Sequence, residues 1–404
     1  MPQPAPRSPR AFVRTETGGA GLLLAATVAA LAWANSPFSG SYAILWEAPI
    51  AVEIAGASVG EDLRFWVNDC LMVLFFCVLG LELRREIAIG ELTDRRRIAL
   101  PVIAALAGLA LPALLYLGLN PGGEAARGWG IVMATDTAFV LGALALVGPA
   151  VPAQLRIFLL SLAVVDDVGV LAAIAAFYPE TVSLPALGAS VLCVIAALLA
   201  GWLSAGRRPA YLAAGLGLWF AMVESGVHPA IGGVVIGALI PTAGGPGPSP
   251  RSPNEQLTRS LHPWTSFLVV PLFALANAGV AIDREVVTDA LASPVTRGVV
   301  AGLVLGKLFG VGAASMVAIH LGLGSLSARV RGPQLWGAAA LTGIGFTVSL
   351  FVIELAFESE ALRDQARLGV LAGSALAVAV GWSIFRLEAA FPGGRPTVNR
   401  GRDP

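Results

Sequence analysis

Two adjacent aspartates, Asp166 and Asp167, lie within an apolar stretch of the sequence that is long enough to cross a lipid bilayer. A carboxylate at mid-membrane depth costs on the order of 2.5–3.5 kcal/mol on insertion scales. Ionised carboxylate oxygens are good ligands for a small hard cation, and two neighbouring carboxyl groups can also bind protons as a coupled pair. Proton and cation can therefore compete for the same atoms, and this competition is sufficient for exchange.

The single lysine of the chain, Lys307, also lies inside an apolar segment, and we expect it in the same site as the two aspartates. Adjacent residues on a helix point about 100° apart. One aspartate can therefore line a cavity while the other faces a partner helix. The alternative is a buried ion pair between one aspartate and Lys307, with the second aspartate reaching toward water. That alternative does not explain why a second acid is present at this depth.

Polar residues interrupt two further apolar segments. Thr135 and Asp136 interrupt the fourth, and the sequence Thr-Gly-Ile-Gly-Phe-Thr at residues 342–347 interrupts the eleventh. Interrupted helices expose half-helix ends, with partial positive charge at the N-terminal ends and partial negative charge at the C-terminal ends. Asp136 and Lys307 could balance those ends. Packing of Gly and Thr between helices is an alternative for the eleventh segment, but it accounts poorly for Asp136.

The composition is that of a polytopic membrane protein. The 404 residues are 56% hydrophobic and 13% charged, whereas a soluble domain carries about 25% charged residues. At about 20 residues per span, the sequence predicts an all-α fold of about twelve transmembrane helices, of which the short seventh and eighth could be one. Their predicted limits are 18–36, 64–83, 98–118, 128–148, 154–177, 184–204, 210–223, 226–241, 262–281, 296–321, 334–357 and 366–389.

The basic residues predict the orientation. With the N-terminus inside the cell, the outside segments carry six arginines and the inside segments nineteen. This bias predicts an even number of spans with both termini in the cytoplasm. The outside arginines are Arg64, Arg127, Arg284, Arg297, Arg363 and Arg367.

The chain is predicted to form one transmembrane domain over residues 18–389. Cytoplasmic tails are expected at 1–17 and 390–404, and a Pro/Gly-rich cytoplasmic linker at about 241–260. The first ten residues have no apolar core and are therefore interpreted as a tail rather than a signal peptide. Spans three to five and ten to twelve suggest a three-plus-three inverted repeat, in which each half has one interrupted helix.

Eight motifs in the chain resemble signatures of the NhaA family of bacterial sodium/proton antiporters. They run in order from about Asn68 to Phe357 and together are highly specific. Because this family is a known example of inverted repeats, the repeat prediction is not independent of the resemblance. The motifs begin at Phe75 (Phe-Phe-Cys-Val-Leu-Gly-Leu-Glu-Leu-Arg-Arg-Glu), Ala134 (Ala-Thr-Asp-Thr-Ala-Phe), Val164 (Val-Val-Asp-Asp-Val-Gly), Gly226 (Gly-Val-His-Pro), Leu261 (Leu-His-Pro-Trp), Pro271 (Pro-Leu-Phe-Ala-Leu-Ala-Asn-Ala-Gly), Gly306 (Gly-Lys) and Gly343 (Gly-Ile-Gly-Phe-Thr-Val-Ser).

Carried over by position, the resemblance implies that Asp167 is the primary cation ligand and proton carrier. It implies that Asp166 pairs with Lys307 in one conformation and is released for binding in another. Thr135 and Asp136 match the crossing of the two broken helices, where the acid offsets helix dipoles and the hydroxyl helps to bind the cation.

A second set of residues matches the family's cytoplasmic cluster for pH response: Glu82, Arg85 and Glu86. The alternative is a solvated network of charges at a helix end. The chain departs from the family at Thr258 and Arg259, where well-known members carry an acid followed by histidine, and steep alkaline activation is therefore in doubt. The histidines are interpreted as mainly structural; they are His228, His262 and His320.

The segment Trp46–Gly60 alternates apolar and small residues, which weakly predicts a strand. In the resembled family the matching region forms a β-hairpin at a homodimer interface, and the resemblance implies the same here.

The sequence therefore predicts an inner-membrane antiporter that exchanges intracellular Na⁺ or Li⁺ for external H⁺ by alternating access. It is expected to be electrogenic, to serve sodium and pH homeostasis and to need no cofactor. A cation channel or cation-coupled symporter on a similar fold is the alternative; a channel would pass ions without proton counterflow, and a symporter would need a larger polar lining. The chain is not expected to be an enzyme, because an intramembrane aspartyl protease needs its two acids on separate helices.

Overall fold

The computed structural model describes residues 9–54, 57–90, 95–147, 151–178, 183–203, 208–242, 252–324, 326 and 330–390, which are largely helical. The helices in chain order are α1 (Pro9–Ala34), α2 (Ser39–Trp46), α3 (Leu63–Ile89), α4 (Arg95–Leu119), α5 (Gly123–Val132), α6 (Thr137–Val147), α7 (Ala153–Phe177), α8 (Leu184–Leu203), α9 (Arg208–Ser225), α10 (Pro229–Leu239), α11 (253–277), α12 (Arg284–Ala292), α13 (Pro294–His320), α14 (Gly332–Leu341), α15 (Phe346–Ala356) and α16 (Glu360–Ala390).

Among the described residues, five helices are long and apolar enough to cross a membrane: α3, α4, α7, α13 and α16. Three bent pairs of helices pass the same test when each pair is taken as one span. These pairs are α1 with α2, bent by 115°, α5 with α6, bent by 52°, and α14 with α15, bent by 42°. The interruptions predicted in the fourth and eleventh spans are thus confirmed, whereas the first predicted span ends in an additional sharp bend.

Several helices extend further than their apolar segments predict. Helix α1 begins at Pro9, whereas the first apolar segment begins at residue 18. Helix α11 begins at Pro253, within the predicted linker at 241–260, and the Ser252 side chain there accepts a hydrogen bond from the Glu255 N–H. Hydropathy locates the part of a helix that lies in lipid, while backbone hydrogen bonding continues into polar sequence. Residues 1–8, 243–251 and 391–404 lie outside the described residues.

A two-stranded antiparallel hairpin follows α2. Strands β1 (Pro49–Ile54) and β2 (Ala57–Asp62) pair from Pro49 opposite Asp62 to Ile54 opposite Ala57. The strand prediction over Trp46–Gly60 is therefore confirmed. Helix α3 starts directly after β2, so the hairpin marks one end of the bundle and Glu86, near the other end of α3, marks the opposite end. We call these the hairpin end and the Glu86 end.

The helices pack as two groups, which also contact each other, most extensively where α1 lies against α6. The hairpin group comprises α1–α3 and α8–α11, and the crossing group comprises α4–α7 and α13–α16. Within the hairpin group, a side chain at Gly80 or Gly237 would overlap backbone atoms of the facing helix, so α3 and α10 approach backbone to backbone. Asn68 and Asn277 join α3 to α11 by reciprocal amide hydrogen bonds of 3.2 and 2.7 Å.

Within the described ranges, three helices contain a π-turn. The turns lie at Trp66–Leu71 in α3, Thr265–Val269 in α11 and Gly302–Gly306 in α13. Such turns hold one residue more than a regular α-turn and are frequent at functional sites. The third one immediately precedes Lys307.

Candidate functional site

A cavity of about 410 Å³ extends from the Glu86 end to Asp167. Helices α1, α3, α6, α7, α11 and α15 contribute to its walls, so both groups of helices line it. Its polar lining consists of Glu82, Arg85, Glu86, Thr135, Asp136, Thr137, Ser161, Asp167, His262, Thr265, Ser266 and Thr347. Arg85 is exposed, and the cavity is therefore open at the Glu86 end.

Asp166 and Lys307 form a buried ion pair beside this cavity. The Lys307 Nζ lies 2.9 Å from the Asp166 Oδ2, and both side chains are completely buried. The Thr135 hydroxyl donates to the same oxygen at 2.8 Å. Asp166 Oδ1 is buried and has no hydrogen-bond partner among the described residues. The pairing that the sequence predicted between these residues is present, and an oxygen of Asp166 remains unused.

Close helix packing brings Lys307 to this position. A Cβ at Gly306 would lie 2.6 Å from the Pro112 Cα, and one at Gly310 would lie 2.6 Å from the Ala107 carbonyl oxygen. Helix α13 can therefore approach α4 closely on both sides of Lys307. The charged side chain is fixed by backbone packing as well as by its partner.

Asp167 has a different environment from its neighbour. It lines the cavity and is only partly buried, and its carboxylate makes no hydrogen bond to the described residues. Asp136, Asp166 and Glu82 place negative charge around it, and Lys307 places positive charge nearby. The two aspartates thus face different surroundings, as their helical spacing predicted.

The two broken helix pairs meet at Asp136. One carboxylate oxygen accepts from the Phe139 N–H at 3.2 Å and so caps α6. The other accepts from the Thr347 N–H at 3.1 Å and the Thr347 hydroxyl at 2.6 Å, at the start of α15. A single anion therefore offsets the partial positive charge of two helix N-termini.

One hydroxyl group and one amide donate to carbonyl groups at the same crossing, and the Thr135 hydroxyl, which donates to Asp166, lies close to a third. The Thr135 hydroxyl lies 3.0 Å from the Thr342 carbonyl oxygen, and the Ser349 hydroxyl donates to the Ile131 carbonyl at 2.6 Å. The Asp136 N–H donates to the Ile344 carbonyl at 2.6 Å. The predicted crossing of the two breaks is therefore present.

Several hydroxyl residues of the site had no assigned role in the sequence-based prediction, among them Thr347, Ser349 and Ser161. Thr347 and Ser349 fall inside a resembled motif, but a threonine or serine in a helix gives no sign of a distant partner. Ser161 lines the cavity on α7, about two turns before Asp167, and is buried. Six residues correspond to about 600° of helix rotation, which is not a same-face spacing, so the position of Asp167 gave no signal for Ser161.

The charged cluster predicted at Glu82, Arg85 and Glu86 lines the cavity at its open end, and His262 lines it as well. Thr258 and Arg259, the two residues at which the chain departs from the family, lie on α11 outside the cavity lining. There the Thr258 hydroxyl donates to the Asn254 carbonyl, and the Arg259 guanidinium lies 3.2 Å from Glu255.

The remaining histidines lie away from the cavity. His228 caps α10 by accepting from the Ala230 N–H, and its Nε2 lies 3.0 Å from the Asp69 Oδ1. His320 is the last residue of α13. These two contacts give His228 a structural role at the start of α10.

Residues 10–385 match the profile of a family described as Na⁺/H⁺ antiporter 1. The chain belongs to this family. A Frankia alni relative named Na(+)/H(+) antiporter NhaA 3 is 45% identical, over 96% of this chain and 90% of its own length. A Yersinia enterocolitica relative named Na(+)/H(+) antiporter NhaA is 42% identical, over 94% of this chain and 96% of its own length. The NhaA resemblance inferred from the motifs is confirmed.

Membership of the Na⁺/H⁺ antiporter 1 family extends over nearly the whole chain. It includes both broken helix pairs, the aspartate pair and Lys307 in one continuous match. The relatives are named as transporters rather than as enzymes. Together with the long apolar helices, this places the chain among multi-pass proteins of the bacterial inner membrane.

Proposed function

We propose that the protein exchanges Na⁺ for H⁺ across the bacterial inner membrane, with Asp167 as the ligand for which the two ions compete. The observation that carries the proposal is the contrast between the two aspartates. Lys307 and Thr135 already engage Asp166, whereas Asp167 presents a carboxylate without a described hydrogen-bond partner to an open cavity. The names of the relatives support the same reaction.

The exchange follows from competition at these oxygens. A cation that reaches Asp167 through the cavity displaces its proton, and a proton arriving from the opposite side displaces the cation. Thr135, which lines the cavity, and Asp166, to which the Thr135 hydroxyl donates, are the further oxygen ligands that we assign to the cation. Release of Asp166 from Lys307 would free a second carboxylate for Na⁺ or Li⁺.

The same step supports electrogenic transport. If Asp166 and Lys307 bind and release a proton in addition to Asp167, two protons cross for each monovalent cation. Net charge then moves, and the membrane potential contributes about 2.3 kcal/mol per net charge per 100 mV to the driving force. Exchange that is insensitive to voltage in proteoliposomes would contradict this stoichiometry.

We further infer twelve spans with both termini in the cytoplasm. The count takes the five long helices, the three bent pairs, the shorter α8, α9 and α10, and α11. Arg85 and the other arginines of the Glu86 end then lie on the cytoplasmic side, in agreement with the positive-inside bias. An inverted repeat of three spans is supported by the matching positions of the two breaks, which precede α6 and α15.

The cluster at the cavity mouth supports a pH response of exchange. Glu82, Arg85 and Glu86 lie where a cation must pass, so that changes in their charge would alter access to Asp167. Sodium and pH homeostasis would be the physiological outcome.

The reaction can be tested in everted membrane vesicles. Addition of Na⁺ or Li⁺ is expected to collapse a preformed pH gradient in vesicles with the parent chain, and Asp167→Asn is expected to abolish the response. Asp289→Asn, which changes an exposed acid of α12, is the matched control and should behave as the parent. Full activity of Asp167→Asn would refute the site, and Na⁺ flux without proton counterflow would favour a channel.

A further inference from the structure

Phe351 of α15 connects the two groups of helices. It lies one turn beyond Thr347, toward the hairpin end, and its side chain is 1% exposed. Its ring centroid lies 5.0 Å from that of Phe76 on α3 and 6.5 Å from that of Phe273 on α11. The His228 ring, at the start of α10, meets it edge-on at 4.8 Å. All three neighbours belong to the hairpin group, whereas Phe351 belongs to the crossing group.

This aromatic cluster lies directly beyond the closed end of the cavity. Phe75, Val270 and Val348 line the cavity, whereas the adjacent Phe76, Phe273 and Phe351 do not. Phe76 and Phe273 are 1% and 0% exposed. Within the described part of the chain, tightly packed aromatic rings therefore separate the Asp167 cavity from the hairpin end.

On the crossing-group side, polar bonds hold the helix of Phe351 to its own group. Glu354, one turn further along α15, lies 2.7 Å from the buried Arg367 guanidinium of α16. The Ser349 hydroxyl is bonded to α5, and Glu124 of α5 accepts the Glu358 N–H at 2.7 Å. Helix α15 is thus fastened to α5 and α16.

On the hairpin-group side, His228 is fixed in a similar way. Its two ring nitrogens contact the Ala230 N–H and the Asp69 carboxylate. The recorded contacts of Phe351 with His228, Phe76 and Phe273 are, in contrast, ring contacts without hydrogen bonds. Apolar ring contacts can part and form again without leaving buried hydrogen-bonding groups unpaired. At this point of the boundary, the two groups can therefore separate without breaking a hydrogen bond of the Phe351 side chain.

We propose that Phe351 is the moving residue of a gate that closes the cation site toward the hairpin end. In the closed state its ring packs against Phe76, Phe273 and His228, which stay in place. The gate opens when the crossing group shifts and withdraws Phe351 from these three rings. The inference rests on the proposed exchange reaction, because alternating access requires the site to open to the second side of the membrane.

Crosslinking tests whether the separation is needed for transport. In a chain whose native cysteines are replaced by alanine, the double variant Phe76→Cys/Phe351→Cys joins the two groups through two reducible disulfides when treated with a short bis-methanethiosulfonate reagent, which loses two sulfinate groups. The double variant Glu354→Cys/Arg367→Cys gives a matched crosslink within the crossing group. We expect the first crosslink to stop Na⁺-dependent proton movement and its reduction to restore it, whereas the second crosslink leaves each variant's own rate within about twofold, because it joins parts that move together.

An accessibility measurement covers the case in which a crosslink fails to form. Val164→Cys places a reporter thiol in the cavity wall, and a membrane-impermeant thiol reagent is applied from the hairpin side. Phe351→Ala should raise the labelling rate by about tenfold, because a minor open state populated at a few per cent becomes a major one. Leu350→Ala removes an equally buried side chain from the same helix and should not raise the rate.

Two results would overturn the gate: full transport by the crosslinked Phe76→Cys/Phe351→Cys protein, or equal labelling with Phe351→Ala and Leu350→Ala. Absence of Na⁺/H⁺ exchange in the uncrosslinked cysteine-free parent would instead count against the proposed function. The two failures are therefore distinguishable.

Discussion

At the residue scale, the site depends on an unequal division between two identical side chains. Asp166 is completely buried and bonded to Lys307 and Thr135, while Asp167 faces the cavity. A carboxylate that is held by an ammonium group can be exchanged only when that pair opens. The free carboxylate can bind an arriving ion at once. In the proposed site, one helix therefore presents an immediate ligand, Asp167, and a conditional ligand, Asp166, at successive positions.

Lys307→Ala tests the strength of the buried pair. Removal of one partner from a buried ion pair costs about 3–5 kcal/mol, because the other charge is left uncompensated. We expect a markedly lower unfolding temperature in detergent and a shifted pH profile, with Na⁺ binding reduced less than stability. The double variant Asp166→Asn/Lys307→Ala should recover part of the loss, since no unpaired charge remains. Additive losses in the double variant, or a single variant as stable as the parent, would contradict the pairing.

The chemistry of this scale was largely predictable from the sequence. Charged side chains in apolar segments must find partners or water, and the chain offers one lysine for two adjacent acids. Thr347 could not be assigned in the same way. Its hydroxyl reaches Asp136 only because two distant segments cross, and the sequence contains no measure of that proximity.

At the scale of elements, Asp136 makes two half-helices into one electrostatic unit. Its carboxylate caps α6 within its own segment and α15 across the crossing. The position that matches Asp136 at the second break is Gly345, which carries no charge. One carboxylate thus caps the half-helices at both breaks, and its hydrogen bonds hold α6 and α15 in their relative position.

Asp136→Ala and Thr347→Val separate the two capping functions. Loss of a cap costs about 1 kcal/mol, and loss of a hydrogen bond to a charged group about 1.5–3 kcal/mol. Thr347→Val should therefore lower stability moderately and raise the Na⁺ KM, and Asp136→Ala should lower stability more. Thr288→Val, at an exposed position of α12, is the control for the loss of a hydroxyl. Equal effects of Asp136→Ala and Thr347→Val on thermal unfolding would argue against a shared cap.

Gly310→Ala tests the close approach of α13 and α4. The added Cβ would lie 2.6 Å from the Ala107 carbonyl oxygen, so the helices must move apart and carry Lys307 away from Asp166. Overpacking of this kind costs about 1–3 kcal/mol, and we expect lower thermal stability together with a lower exchange rate. Gly118→Ala on α4 meets no atom within 4 Å and should be neutral. Equal behaviour of both variants would show that the approach is not required.

Element existence was easier to predict than element limits. The apolar segments located the long spans and both interruptions, because hydropathy reports the part of a helix that contacts lipid. The polar beginnings of α1 and α11 were missed for the same reason. Sharp turns were missed as well: Gly226, with φ +76° before the His228 cap, delays the start of α10 to Pro229.

At the scale of the whole molecule, two groups of helices share one cavity. Each group is held together by backbone-close crossings and buried polar bonds, and the two aspartates of the proposed ion site lie on the crossing group. Transport by relative movement of the groups would leave the bonds within each group intact. The hairpin belongs to the group that does not carry the aspartates, so it can anchor that group.

Removal of the hairpin tests its proposed place in a homodimer. An isolated two-stranded sheet is only marginally stable, and among the described residues β1 pairs only with β2, which leaves the outer edge of each strand open. Replacement of residues 49–62 by a Gly/Ser linker is expected to give monomers on size-exclusion chromatography in detergent, with Na⁺/H⁺ exchange retained in vesicles. A variant that remains a dimer would contradict the expected role of the hairpin in the dimer interface.

The π-turn at Gly302–Gly306 has a consequence for how the chain tolerates changes in length. A π-turn accommodates one more residue than a regular turn, and one residue corresponds to about 100° of helix rotation. If this turn lost a residue and became a regular α-turn, one end of α13 would rotate relative to the other. The side chains at the two ends could then not both keep their present neighbours. The ammonium group of Lys307 would turn away from Asp166, or Arg297 and its neighbours would turn instead. The direction in which the charge points is therefore encoded by a residue count, and single-residue deletions in this stretch would be among the least tolerated changes in the molecule.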